Sequence, residues 1–168
     1  MKRIISALML AMVAVCVNAQ SFNVYIQDSE GQYTNIRNAP GGKVVKRLVT
    51  GIYALCVRNV RNGWWEIVPN TLEDVESQEK VSMNDEKSPC FIHYSAIAVA
   101  TRNYDGRQLY LRKLPDGKAA VEFSFGDEKE LRPLKIKNGW VKVRTLDKKH
   151  TGWIEEEWLC GNPVTNCS

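Results

Sequence analysis

Arg37-Asn38-Ala39-Pro40-Gly41-Gly42 recurs as Arg112-Lys113-Leu114-Pro115-Asp116-Gly117, 75 residues further along the chain. Each copy is followed downstream by an Asn-Gly-Trp sequence, at Asn62-Gly63-Trp64 and at Asn138-Gly139-Trp140. Proline fixes φ and glycine accepts a positive φ, so each first motif predicts a chain reversal. Asn-Gly is the strongest short signal for a β-hairpin, because both residues tolerate left-handed backbone angles. The chain therefore contains an internal repeat of strands and tight turns.

The two copies resemble the bacterial Src-homology-3 (SH3b) repeat. The resemblance lies in the arginine-x-x-proline turn, the Asn-Gly-Trp hairpin and the closing Gly152-Trp153-Ile154, which the first copy replaces with Pro89-Cys90-Phe91-Ile92-His93. It implies an all-β fold of two tandem small SH3-like barrels. We expect the first barrel over residues 20–100, with an acidic insertion at 69–89, and the second over residues 101–168.

Residues 1–19 have the layout of a secretory signal peptide. Lys2 and Arg3 precede an apolar run that ends at Val17-Asn18-Ala19, which predicts cleavage after Ala19 and a secreted or periplasmic protein. The apolar run is shorter than the roughly 20 residues that span a bilayer, so we do not expect a membrane-spanning protein. Lipid attachment at Cys16 is a weaker alternative, because Val15 stands where a small residue is needed.

Loss of Lys2 and Arg3 would lower the formal net charge from +4 to +2. So small an excess of positive charge does not favour nucleic acid or an anionic membrane surface as the partner. No motif for a cofactor is present, and none is expected.

The mature chain would keep four cysteines, and an even number in an exported protein predicts disulfides. Four cysteines allow three connectivities, and the sequence alone does not choose among them. Their positions along the repeats favour Cys56 with Cys90 and Cys160 with Cys167, which would leave no thiol.

Strand alternation separates the tryptophans into two classes. Trp65 shares a face with Ile67 and is expected in the core, whereas Trp64 shares the opposite face with Glu66. In the second copy Val141 and Val143 form the apolar face, and Trp140 shares the other with Lys142 and Arg144.

Exposed aromatic rings next to charged groups are suited to stacking on a peptide or a sugar. The predicted ligand-binding residues are Trp64, Trp140, Tyr33, Tyr110, Lys142 and Arg144. Further aromatic candidates are Tyr53, Tyr94, Tyr104 and Trp153, of which Trp153 is expected to serve packing instead.

The acidic insertion is expected to be a solvated loop, with a capped helical turn over residues 71–79 suggested by the spacing of Thr71 and Asp74. A specificity loop beside a binding groove is the alternative.

An enzyme is not expected. The chain has only two histidines, His93 and His150, and no spare segment for the cysteine peptidase domains that accompany similar repeats. Cys90-x-x-His93 is a single metal-like pair, which is a weak signal without a second pair. We expect no catalytic residues and no metal site.

The resemblance implies a non-catalytic, extracytoplasmic binding module that recognises a cell-wall peptide or glycan through an aromatic surface. A protein-protein interaction or assembly module, with an envelope protein as partner, is the alternative. Fold alone does not decide between the two functions.

Overall fold

The computed structural model describes residues 20–28, 31–49, 51–83, 88–164 and 167. The predicted signal peptide lies outside these residues. Within them the chain forms 15 β-strands and two 3-10 helices, which confirms the all-β prediction. Neither helix of the described part is long and apolar enough to span a membrane.

The strands of the first half pair with antiparallel neighbours. They are β1 (Ser21–Ile26), β2 (Thr34–Arg37), β3 (Val44–Leu48), β4 (Tyr53–Arg61), β5 (Trp64–Ile67), β6 (Glu73–Asp74), β7 (Glu79–Lys80) and β8 (Cys90–His93). A 3-10 helix over Tyr94–Ala96 follows β8.

The second half begins with β9 and ends with a short strand after another 3-10 helix, Glu156–Trp158. Its strands are β9 (Ile97–Thr101), β10 (Leu109–Arg112), β11 (Val121–Phe125), β12 (Glu130–Lys137), β13 (Trp140–Thr145), β14 (Thr151–Glu155) and β15 (Leu159–Cys160).

The sequence repeat is also a repeat of topology. The first half pairs its strands in the order β1-β4-β5-β8-β2-β3, and the second half in the order β9-β12-β13-β14-β10-β11. Each strand of one path has its counterpart at the same place in the other. The hairpin of β6 and β7 is added to the first half only.

The two halves share strand β9. Residue Ala98 of β9 pairs with Tyr25 of β1, and Val99 pairs with Leu131 of β12. All the strands therefore belong to one hydrogen-bonded sheet whose main path ends at β11 and β3. The expected division between residues 100 and 101 falls inside β9. The pairing does not confirm two separate closed barrels, and the assignment of 20–100 and 101–168 as domains stays a prediction.

The Asn-Gly turns have the predicted backbone. Asn62 and Gly63 have φ of 49° and 82°, and Asn138 and Gly139 have φ of 50° and 77°. Two successive positive φ values are the mark of a type I′ turn, which matches the twist of the strands on either side.

Trp65 lies at the centre of the core, where it is fully buried. Its ring meets Phe22 edge to face, with centroids 5.2 Å apart. Its indole Nε1 donates to the carbonyl oxygen of Pro133 in β12, at 3.1 Å. Pro133 lies at a register shift of β12, where a residue without an N–H is tolerated. The prediction that Trp65 is a core residue is confirmed, and its ring joins the two halves.

Polar groups add to the contact between the halves. The Arg132 guanidinium donates to the carbonyl oxygens of Gln27 and Ile97, at 2.5 and 2.8 Å. The Tyr25 hydroxyl donates to Glu130 at 2.7 Å. Burial, together with this hydrogen bond, raises the pKa of Tyr25 well above its usual range. Tyr25 therefore remains a neutral donor at physiological pH.

The described part of the acidic insertion contains the short hairpin of β6 and β7 in place of the expected helical turn. Strand β6 adds to the edge of β4, with Tyr53 opposite Asp74 and Ala54 opposite Glu73. Thr71 does not cap a helix, because its hydroxyl accepts from the Cys56 amide at 3.0 Å and donates to the Val68 carbonyl at 2.7 Å. Pairing with β4 overrides the local helical signal. Residues 84–87 of the insertion lie outside the described ranges.

Candidate ligand-binding cleft

The repeated arginine stabilises the turn that follows it. Arg37 Nη1 donates to the carbonyl oxygen of Gly42 at 2.7 Å, and Arg112 Nη1 donates to that of Ala119 at 2.9 Å. A buried or half-buried carbonyl without a partner is costly, so the charged donor explains why an arginine stands at this place in each copy. The first role of the repeated motif is therefore structural.

Each of these arginines also lies over an aromatic ring. The Arg37 guanidinium carbon is 5.7 Å from the centroid of Trp64, and that of Arg112 is 5.5 Å from the centroid of Tyr110. Both distances are within the range of a cation–π contact. An aromatic residue and a guanidinium are thus held together on the outer surface of each half.

In the second half, three aromatic side chains converge on one cleft with a volume of about 170 Å³. We call it the aromatic cleft. The residues of its lining that carry charge or an aromatic ring are Arg107, Tyr110, Arg112, Trp140, Glu155 and Trp158. They come from β10, β13, β14, the second 3-10 helix and the loop before β10. The predicted residues Tyr110 and Trp140 are therefore brought together, as an aromatic surface requires.

Strand pairing fixes the geometry of the cleft. Trp140, the first residue of β13, lies opposite Glu155, the last residue of β14. The Trp158 indole Nε1 donates to Glu155 Oε2 at 3.1 Å, and the Arg107 guanidinium lies over the Trp158 ring at 5.1 Å from its centroid. One indole thus orients a carboxylate with its N–H and a guanidinium with its face.

The sequence did not identify Arg107, Glu155 or Trp158 as site residues. Trp158 follows three consecutive glutamates, which predicts an exposed polar segment, and no local pattern relates it to Tyr110. The available signal is the alignment of the repeats after β8 and β14, in which Trp158 takes the place of Ala96. A large aromatic residue where the other copy has a small one marks a difference in surface.

The other predicted ligand residues lie outside the aromatic cleft. Lys142 shares the outer face of β13 with Trp140 but lies opposite Trp153. Arg144 lies further along the strand, where its Nε donates to the Thr151 hydroxyl at 3.3 Å. Tyr33 is exposed on the first half, with the Arg47 guanidinium 5.9 Å from its ring centroid. Their contact with a ligand stays a prediction. Trp153 is buried, so its expected packing role is confirmed.

The first half closes the corresponding surface with aromatic rings packed against one another. His93 lies opposite Trp64 with ring centroids 5.1 Å apart, and Tyr94 lies 4.5 Å from His93. A Cβ on Gly63 would meet the Tyr94 ring at 3.0 Å, whereas a Cβ on the equivalent Gly139 would meet nothing within 4 Å. Desolvation lowers the pKa of His93, so the imidazole is neutral near pH 7. Trp64 is therefore engaged in packing to a greater degree than Trp140.

The cysteines confirm one predicted disulfide and correct the other. Cys160 and Cys167 are bonded, with their Cα atoms 5.5 Å apart. Cys56 and Cys90 remain thiols, so the prediction that no thiol is left was wrong. Val57 pairs with Ile67 and Ile67 with Cys90, which places Cys56 about two strand spacings, or about 10 Å, from Cys90. Cys90 also faces the core while Cys56 alternates outward, and such a pair cannot be bridged.

The same alternation separates Cys90 from His93, which points to the outer face of β8. Across the described ranges, no group of three or more histidine, cysteine or acidic side chains is placed to hold a metal ion.

Comparison with known proteins gives distant likenesses. No protein-family model matches the chain, and no curated protein matches it. Among solved structures it is similar to NlpC1 from Trichomonas vaginalis, with 11% identity and a TM-score of 0.33 over 90% of this chain and 50% of that chain. It is also similar to NlpC2 from the same organism, with 10% identity and a TM-score of 0.32 over 84% of this chain and 48% of that chain. The chain spans about half the length of these two proteins, and likenesses this weak assign neither a family nor a function.

Proposed function

We propose that the protein is a non-catalytic, extracytoplasmic binding module that recognises a cell-wall peptide or glycan through the aromatic cleft. The observation that carries the proposal is the convergence of Tyr110, Trp140 and Trp158, which are distant in sequence, around one small open cleft. Aromatic faces bind peptides and sugars at low entropic cost, because their side chains have few rotatable bonds to immobilise. The resemblance of the repeat to bacterial SH3 modules supplies the ligand class.

Location outside the cytoplasm is supported by the sequence and by the disulfide. Residues 1–19 have the pattern of a signal peptide, and a disulfide between Cys160 and Cys167 persists in oxidising compartments. The two features are independent, since one concerns export and the other the environment of the folded chain.

The two histidines support binding over catalysis. His93 packs between Trp64 and Tyr94 with its ring tilted to both, and its Nδ1 lies 2.8 Å from the Ser95 hydroxyl. His150 stacks on Phe123 in the second half, with ring centroids 3.8 Å apart. Both imidazoles thus serve packing, and neither lines the aromatic cleft.

The test is sedimentation of the purified protein with insoluble peptidoglycan, for wild type, Trp140→Ala and Trp64→Ala. We expect Trp140→Ala to weaken retention about tenfold or more, with little change in melting temperature, since it removes a stacking surface. Trp64→Ala is the matched control from the other half, and it should keep binding while losing some stability.

Wild-type protein that never binds wall material would contradict the proposal. Specific capture of an envelope protein by that same wild type would favour the assembly module. Equal retention of wild type and Trp140→Ala would show that binding occurs elsewhere on the protein.

A further inference from the structure

We infer that the group bound in the aromatic cleft is zwitterionic, with a free ammonium and a free carboxylate on one amino-acid-sized end. This inference rests on the proposed function and specifies its ligand. It excludes a neutral sugar ring as the group that enters the cleft, and it assigns each of the two ligand charges to one side chain.

Glu155 binds the ammonium group of the ligand. Its Oε2 accepts the Trp158 indole N–H at 3.1 Å, and the described residues give no partner to Oε1. Trp140 lies directly opposite in β13, and Tyr110 lines the same cleft. A carboxylate flanked by aromatic faces is the environment that favours an ammonium group, through a charge-assisted hydrogen bond and a cation–π contact.

Arg107 binds the carboxylate of the ligand. Its only described ion pair is with Asp105 at 3.3 Å, and both side chains are more than half exposed. An exposed pair of this kind contributes little, so the guanidinium can turn to a ligand at small cost. Arg112 is different, because it donates to the Ala119 carbonyl and is needed by its turn. Guanidinium presents a planar pair of donors that matches a carboxylate.

Trp158 sets the separation between the two charged groups. It holds Glu155 through its N–H and Arg107 on its face, so neither group is positioned independently of the other. The cleft of about 170 Å³ has room for roughly six waters at about 30 Å³ each. That space suits a single amino-acid end and does not suit several sugar rings. A neutral ligand would offer Glu155 and Arg107 only uncharged hydrogen-bonding groups, which are weaker partners than groups of opposite charge.

The test measures binding of the full mature chain to three preparations of one peptidoglycan: intact, with its free amines acetylated, and with its free carboxylates amidated. Wild type should bind the intact material at least tenfold more tightly than either modified form, because each modification removes a charged hydrogen bond. Glu155→Gln should weaken binding to intact material by a similar factor and have no effect on binding to the acetylated form. Arg107→Gln should do the same with respect to the amidated form.

Two control variants match the charge changes. Glu157→Gln removes a neighbouring exposed carboxylate, and Arg47→Gln removes a guanidinium that lies over Tyr33 on the other half. Both should bind like wild type, and melting temperatures should show that every variant is folded.

The outcomes separate the inference from the proposed function. If all three preparations bind wild type equally, or if Glu155→Gln and Arg107→Gln bind intact material like wild type, the zwitterionic ligand is refuted while wall binding stands. If no preparation binds wild type, the proposed function is refuted and the inference with it.

Discussion

The outer surfaces of the two halves share one arrangement of strands and differ in a few residues at the strand ends. In each half a repeated arginine, an aromatic residue and a charged residue lie side by side on three neighbouring strands. The rows are Arg37, Phe91 and Glu66 in the first half and Arg112, Trp153 and Lys142 in the second.

The adjoining positions differ in ways that change the surface. Trp64 faces His93 in the first half, where Trp140 faces Glu155 in the second. His93 and Tyr94 then cover the Gly63 turn, whereas Glu155 leaves the Gly139 turn open. The packed His93 imidazole covers this surface in the first half. In the second half the Glu155 carboxylate, which accepts from Trp158, leaves the cleft open. The order of the strands is thus common to both halves, while a few residues at their ends decide whether a cleft exists.

The largest expected effect is on the free energy of unfolding, and it comes from the core that the two halves share. Trp65→Ala should lower the free energy of unfolding by about 3–5 kcal/mol, because it leaves a cavity and removes the bond to Pro133. Denaturation in urea, followed by circular dichroism and by tryptophan fluorescence, should show a single transition for wild type. Two separate transitions would contradict a core shared through β9.

Next in size is the disulfide, which only the second half has. Cys167→Ser should lower the free energy of unfolding by about 2.5 kcal/mol, as expected for a short loop. Cys56→Ser, the control from the first half, should be nearly neutral. Mass spectrometry of alkylated protein should find two thiols in the unfolded wild type. A Cys56–Cys90 peptide would overturn the corrected pairing.

Smaller effects are expected for the repeated arginines. Arg37→Ala and Arg112→Ala should each cost about 1–2 kcal/mol, because each leaves a turn carbonyl without its charged donor. The two losses, measured by thermal and urea denaturation, should be similar. A loss of stability in only one of these two variants would contradict an equivalent role for the two arginines.

The smallest expected effect is on the pH dependence of stability. It distinguishes Glu66 from Lys142, which occupy equivalent positions in the two halves. Burial by itself raises the pKa of Glu66, but hydrogen bonds from Asn59 and Arg58 outweigh it and hold the pKa below its usual value. The folded state therefore binds the proton less readily than the unfolded chain. The stability that Glu66 contributes is present above the ordinary glutamate pKa of about 4.3 and is lost as pH falls through the folded value.

Glu66→Gln should accordingly cost up to about 1 kcal/mol near pH 6, and the difference from wild type should shrink toward pH 2. Urea denaturation across this range measures it. Lys142→Gln is the control at the equivalent position, because it removes a cation and not a carboxylate, and its difference from wild type should not follow the same curve. A Glu66→Gln difference that stays constant with pH would contradict the role of the Arg58 ion pair.

Much of the local structure could be predicted because it depends on neighbours in sequence. The Asn-Gly turns have the expected backbone angles, and the alternation in β5 places Trp65 inward and Trp64 outward. The exception is the insertion, where the capping pattern of Thr71 and Asp74 predicted a helical turn. There the edge of β4 supplied hydrogen-bond partners that no local pattern reveals.

By itself the sequence determined the repeat, the turns, the all-β class and the phase of the tryptophan strands, because each of these depends on residues a few positions apart. Only the tertiary structure decided that β9 serves both halves, that Cys56 and Cys90 face opposite sides of the sheet, and that Trp158 and Arg107 complete a cleft with Tyr110 and Trp140. These features depend on which strands become neighbours and in what register. In this fold β14 lies between β13 and β10, a non-local pairing that the order of residues along the chain does not display.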